Sequence, residues 1–122
     1  MAIVFGGSGE GEVIVADKYK GIRAGVLNNE NMEIVRLLRE HNNANILSIG
    51  ARFVSEAFAK EAVKAFLITK FEEKDSDSKI SRHERRIDEI EDIEISVNAK
   101  INKEEIEELK IFQEMRDVRN DN

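Results

Sequence analysis

The 122-residue chain contains no cysteine. That removes disulfides, thiol chemistry and cysteine-based metal sites together, and it agrees with a cytoplasmic setting. Long apolar runs are also missing: none approaches the roughly 18 residues that a bilayer-spanning helix needs. The first residues show no basic stretch followed by an apolar core, which argues against a secretory leader. Nor is there an excess of positive charge. The formal net charge is −6, and it is uneven: residues 1–70 hold nine Lys/Arg against eight Asp/Glu, residues 71–122 ten against seventeen. An acidic tail repels nucleic acid and anionic membrane, so neither is an expected partner. A small anion held by a few well-placed arginines remains compatible with this balance.

Hydrophobic residues make up 41% of the chain, enough for the core of one domain. Ala2-Ile3-Val4-Phe5 reads as a buried strand that breaks at two glycines. Glu12–Asp17 then begins a helix, and Ile22-Arg23-Ala24-Gly25-Val26 is a second short strand. Met32–His41 places Ile34, Val35, Leu37 and Leu38 at helical spacing, with Arg36, Arg39 and Glu40 on the other side. Ile46–Ile49 is a third strand closed by Gly50, and Ser55–Thr69 is an amphipathic helix. Strands alternating with helices predict parallel βαβ units. Beyond a polar, charged segment from Glu72 to Ser81, helical spacing resumes over Arg82–Ile90. Ile93–Val97 alternates like a short edge strand, and Asn102 is placed to cap a last helix from Lys103 to about Arg119, with Ile106, Leu109 and Phe112 on one face. Three strands make a thin sheet. The expected fold is therefore the C-terminal part of a Rossmann-like doubly wound α/β sheet, or a protomer that must associate, with a charged helical extension.

Several residues have the chemistry of a site. The loop Gly6-Gly7-Ser8-Gly9-Glu10-Gly11-Glu12 follows a strand and precedes a helix, where backbone N–H groups can approach an anion closely. It lacks the Gly-Lys-Ser/Thr of a Walker loop and the spacing of a dinucleotide fingerprint. A plain tight turn and an anion cradle both fit the glycines alone. Glu12 is either a dipole-stabilising carboxylate or a general base beside a cavity. His41, in Arg39-Glu40-His41-Asn42-Asn43-Ala44-Asn45, is either a capping residue or an acid/base group. Arg52 lies past the carboxyl end of a strand, where open α/β sheets place ligands. Arg82 and Arg86 stand four apart on one helix face, suited to a phosphate or to a solvated ion-pair surface.

In series, these stretches resemble the ribose-5-phosphate isomerase B/galactose-6-phosphate isomerase family. The resemblance also takes in Lys18-Tyr19-Lys20-Gly21-Ile22-Arg23-Ala24, Gly50-Ala51-Arg52 and Arg82-His83-Glu84-Arg85-Arg86-Ile87. It implies aldose–ketose isomerisation, with ribose 5-phosphate to ribulose 5-phosphate as the expected case. One branch of the family uses a cysteine as base; this chain resembles the other, which uses the glutamate of its glycine loop. Carried over, Glu12 would move the proton between C2 and C1. Ser8 and the loop amides of Gly7, Gly9 and Gly11 would stabilise the enediolate oxygens. His41 would help open the sugar ring, and Asn42 would contact hydroxyls. Arg52, Arg82 and Arg86 would hold the phosphate or nearby sugar oxygens. No metal or organic cofactor is implied, and the family's site lies between two subunits, so a homodimer is expected.

The chain departs from the family pattern at Asp17, where Asn is usual, and at Asn43, where Asp is usual. The family's N-terminal half, with an Asp-His pair and a Tyr-Pro loop, has no counterpart. The expectation is an N-terminally truncated isomerase-like domain over residues 1–92, low or absent activity by itself, and an acidic extension of strand plus helix over 93–122. The alternative function is a non-catalytic interaction protein that keeps a phosphate-binding remnant.

Overall fold

The computed structural model describes residues 1–72 and 80–120, with side chains as far as 111. Most of the polar segment between Glu72 and Ser81, and the side chain of Phe112, lie outside the described residues. Strands β1 (Ala2–Gly6), β2 (Ala24–Leu27) and β3 (Ile46–Gly50) form a parallel sheet in the order β1-β3-β2. Helices α1 (Glu10–Ala16), α2 (Met32–Glu40), α3 (Glu56–Ile68) and α4 (Arg82–Asn120) alternate with the strands or follow them. This is the α/β arrangement that the alternating pattern predicts.

β3 is central, and its apolar run is buried from Leu47 to Gly50. It pairs with β1 from Ala2↔Ile46 to Gly6↔Gly50 and with β2 from Ala24↔Ile46 to Leu27↔Ile49. All three strands therefore begin at one edge and end at the other, about 13–16 Å away for a five-residue strand. β2 starts at Ala24 rather than Ile22. The Ile22 N–H closes a turn onto the Tyr19 carbonyl, and the Arg23 N–H donates to Asn45 Oδ1 at 2.9 Å. Those amides are thus engaged before pairing begins.

Leu27, Val35, Leu47, Ile49, Ala62 and Phe66 are almost fully buried together. Each large side chain among them contributes about 1.5–3 kcal/mol by leaving water. α2 and α3 start where polar caps stand: Asn31 accepts the Glu33 N–H and Ser55 the Phe58 N–H, each satisfying an otherwise unpaired helix donor.

Arg39 corrects the reading of α2, because it faces inward rather than outward. It lies four residues after buried Val35 and is itself only 7% exposed. The amino edge of the sheet supplies the reason. Arg39 donates from Nη1 to the Ala44 carbonyl at 2.6 Å and to Asn43 Oδ1 at 3.0 Å, and from Nε to the Thr69 carbonyl at 3.3 Å. Its guanidinium also lies 5.6 Å from the centre of the Phe66 ring, a favourable cation–π placement. Burial pushes the Arg39 pKa down, and the charge of Arg23 adds to this.

The chain divides into two units, Met1–Asp88 and Glu89–Asn122. The second unit is helical where described, and this overturns the edge strand expected at Ile93–Val97. A five-residue strand is stabilised only by pairing, whereas helix hydrogen bonds are internal. No glycine or proline interrupts the run, so a helix already formed passes through the β-branched residues at a few tenths of a kcal/mol each. It passes through Asn102 as well, which is not a cap. Ile93, Ile95, Ile106 and Leu109 are each more than half exposed on this unit.

Candidate active site

The carboxyl edge of the sheet gathers the glycine loop, Arg52 and Asn28. Gly9 takes φ +83 and serves as the N-cap of α1, so the helix begins at Glu10, two residues before the expected start. A Cβ at Gly9 would stand 3.0 Å from Val26 Cγ2 and 3.1 Å from the Gly50 nitrogen. Only glycine suits both that backbone and that space. Gly50 is equally constrained, since a Cβ there would lie 2.5 Å from the Ser8 carbonyl oxygen. The loop is held from beneath by Ser48, whose buried hydroxyl donates to the Gly9 carbonyl at 2.7 Å. It is held from the side by the Ala51 and Arg52 N–H groups, which donate to the Gly6 and Gly7 carbonyls at 2.8 and 3.1 Å.

On this base the Glu12 side chain folds back over Gly6, where any Cβ would overlap the carboxylate. The Arg52 guanidinium lies over Gly7, with Cζ and Nε 3.3 Å from the position a Cβ would take. Ser8 Oγ accepts the Glu10 N–H at 3.4 Å, and Asn28 Nδ2 donates to Glu10 Oε1 at 2.8 Å. Glu12, Ser8, Gly7, Gly9 and Arg52 are therefore brought together. Gly11 sits on the open side of α1, with nothing within 4 Å of an added Cβ. The edge thus presents a carboxylate, a hydroxyl and a guanidinium around an exposed Gly7, a set able to accept a proton and to hold an anionic oxygen.

A second group forms at the amino edge, where α2 ends and β3 has yet to begin. His41 is the C-cap of α2, and Asn42 follows it, exposed. The rings of His41 and His83 stack with centroids 4.0 Å apart and planes 7° from parallel. Arg82 Nε contacts His83 Nε2 at 3.4 Å. Burial holds the His83 pKa below its usual range; the charges of His41, Arg82 and Arg86 lower it further, and Glu72 opposes them. Arg82 and Arg86 thus accompany His41. Within one chain they do not accompany Arg52 or Glu12, which stand at the other edge.

Three contributors were not singled out by sequence reasoning. Ser48 had a signal, as the one polar residue in the apolar run of β3. Asn28, at the carboxyl end of β2, had a weaker one in its position. Glu72, beside the stacked histidines, had none, because only the fold brings it there.

A parallel α/β sheet with a glycine loop and an arginine past its carboxyl ends is a Rossmann-like arrangement, in which ligands of open α/β sheets sit outside the carboxyl ends of the strands. Residues 1–90 match the family model described as Ribose/Galactose Isomerase. The chain belongs to that family. It is 43% identical over 88 residues to ribose-5-phosphate isomerase B of Mycolicibacterium paratuberculosis, covering 72% of this chain and 50% of the relative. It is 39% identical over 67 residues to galactose-6-phosphate isomerase subunit LacA of Enterococcus faecalis, covering 55% and 46%. Among solved structures, a ribose 5-phosphate isomerase of Thermotoga maritima superposes with a TM-score of 0.63 at 39% identity, over 74% of this chain and 56% of that one. Ribose-5-phosphate isomerase B of Mycoplasma genitalium, with bound ribulose-5-phosphate, superposes with a TM-score of 0.65 at 36% identity, over 75% and 55%. The chain spans about half the length of the curated relatives it matches. No helix among the described residues is long and apolar enough to cross a membrane.

Proposed function

We propose that this chain takes part in aldose–ketose isomerisation of a sugar phosphate, with ribose 5-phosphate to ribulose 5-phosphate as the reaction. The observation that carries the proposal is the Glu12 carboxylate lying against the glycine loop, beside Ser8 and Arg52. Glu12 takes the proton from C2 of the open-chain aldose while the carbonyl electrons move to O1, giving an enediolate. The Ser8 hydroxyl and the loop N–H groups stabilise its oxygens. Glu12 then returns the proton to C1, and the carbonyl re-forms at C2 as the O2 proton passes to O1, leaving the ketose with its C1 hydroxyl. His41 assists ring opening, Asn42 contacts sugar hydroxyls, and Arg82 and Arg86 hold the phosphate. Gly7, Gly9 and Gly11 shape the loop around the substrate.

The two groups stand at opposite edges of one sheet, which favours a homodimer whose site combines the Glu12 edge of one protomer with the His41 edge of its partner. Residues corresponding to half of each relative lie outside the match, so turnover by these 122 residues alone is expected to be low. Proton exchange at C2 of ribose 5-phosphate in D2O, followed by NMR, is sensitive enough to read it. Glu12→Gln is expected to slow the exchange by about 10²–10⁴-fold. Unchanged exchange in Glu12→Gln would remove Glu12 from the mechanism, and galactose 6-phosphate in the same assay separates hexose from pentose preference.

The exposed apolar side chains of residues 89–111 favour a second reading, a non-catalytic interaction protein that retains a phosphate-binding remnant. Light scattering with and without residues 93–122 separates the two. A mass that ignores the tail counts against it.

A further inference from the structure

The amino-edge group has a capacity that isomerisation does not use. The chain has two histidines in all, 42 positions apart, and the fold stacks them. Glu72 joins them, and one ligand atom from each of His41, Glu72 and His83 lies within 4.8 Å of the others. The grouping is built into the backbone. The Glu72 N–H donates to the Glu40 carbonyl at 3.0 Å, next to His41. Ser81 Oγ donates to the Glu72 carbonyl at 2.6 Å and accepts the Glu84 N–H at 3.0 Å, which fixes the turn that carries His83.

We propose that His41, Glu72 and His83 form a binding site for a divalent transition-metal ion of the Zn2+ class. Two imidazoles and a carboxylate are three of the four ligands of a tetrahedral zinc site, with the fourth position left to water. Parallel rings point their lone pairs side by side rather than at a common point. Tetrahedral ligation at zinc–nitrogen distances of about 2.0–2.1 Å needs the nitrogens about 3.3 Å apart with the rings tilted. The His ring torsion is broad and soft, so this tilt is small in cost. Glu72 is exposed and free to swing its carboxylate inward. Arg82 and Arg86 oppose a cation, and Arg82 Nε donates to His83 Nε2 at 3.4 Å, so ligation through that nitrogen requires the exposed Arg82 side chain to swing away into solvent. The ion occupies His41, so on the isomerase reading above it competes with the sugar phosphate and makes the activity metal-sensitive.

Metal binding is testable without any substrate. Cobalt(II) titrated into the full chain is expected to give the strong visible absorption of a four-coordinate site at one ion per chain. Imidazole resonances of both histidines should be paramagnetically shifted in the same complex. With no cysteine and no third histidine, no other imidazole or thiolate set is available to produce that signature. Glu72→Gln, an exposed substitution whose fold is checked by circular dichroism, is expected to weaken Zn2+ binding about tenfold or more. A weakly absorbing octahedral spectrum, a shift of only one histidine, or equal Zn2+ affinity in Glu72→Gln overturns the site. Inhibition by Zn2+, reversed by chelation and weakened in Glu72→Gln, is a separate arm. If inhibition fails while the cobalt spectrum holds, the isomerase role of His41 is at fault and the metal site stands.

Discussion

Ser48 is the residue on which the carboxyl edge turns. Its hydroxyl is buried in β3 and meets the Gly9 carbonyl at 2.7 Å, so it links the core to the loop that carries Glu12. Ser48→Ala leaves a buried carbonyl without that donor, and is expected to cost about 1–3 kcal/mol in urea unfolding. Exchange at C2 should fall as well, because the loop loses its support. A stability loss with no change in exchange would show that the loop holds its shape without Ser48. Arg39 plays a comparable part at the other edge. There the sequence pattern misled, since a periodicity argument assigns arginine to the wet face and has no view of three oxygens waiting for a donor.

At the scale of elements, α3 is anchored by a residue outside it. Glu30 Oε1, in the connection between β2 and α2, accepts the Ser55 N–H at 2.9 Å. The side-chain and backbone hydrogen bonds to Ser55 hold the Glu30 pKa below its ordinary value, against a smaller effect of burial. A carboxyl whose pKa is lower folded than unfolded adds stability above its unfolded pKa and loses it as pH falls through the folded value. Wild type is therefore expected to exceed Glu30→Gln in urea midpoint near pH 7, and the gap should close as pH falls from about 5 to below 3. A gap that is constant with pH would assign the effect to shape rather than charge. The helix ends of α2 and α3 were legible because Asn31 and Ser55 cap by local chemistry. The extent of α4 was not, because a short alternating run has no strand identity without a partner strand.

For the whole molecule, the decisive feature is the separation of the Glu12 and His41 edges by the length of a strand. The proposed shared site makes a specific demand on mixtures. Glu12→Gln and His41→Ala chains, each impaired alone, are expected to regain about one quarter of wild-type exchange when mixed and allowed to reassort, because half of the dimers are mixed and each holds one intact site. No recovery on mixing, with dimers confirmed by light scattering, would place both groups in sites within one chain. The proposed metal site adds a second demand on the same edge, since an ion on His41 should suppress the recovered activity too.

The sequence by itself determined the α/β class, the order of the first six elements and the glycine loop with Glu12 at its end. These are set by local periodicity, capping and the conformational needs of glycine. The series of short motifs was enough to suggest the family that the comparisons then showed. Tertiary structure alone decided that Arg39 is buried, that Ser48 and Asn28 brace the carboxyl edge, and that Arg52 stands apart from Arg82 and Arg86. It also decided that the two histidines meet each other and Glu72. Each of these depends on which residues β3 brings to its two ends, and strand pairing joins residues too distant along the chain for any local pattern to register.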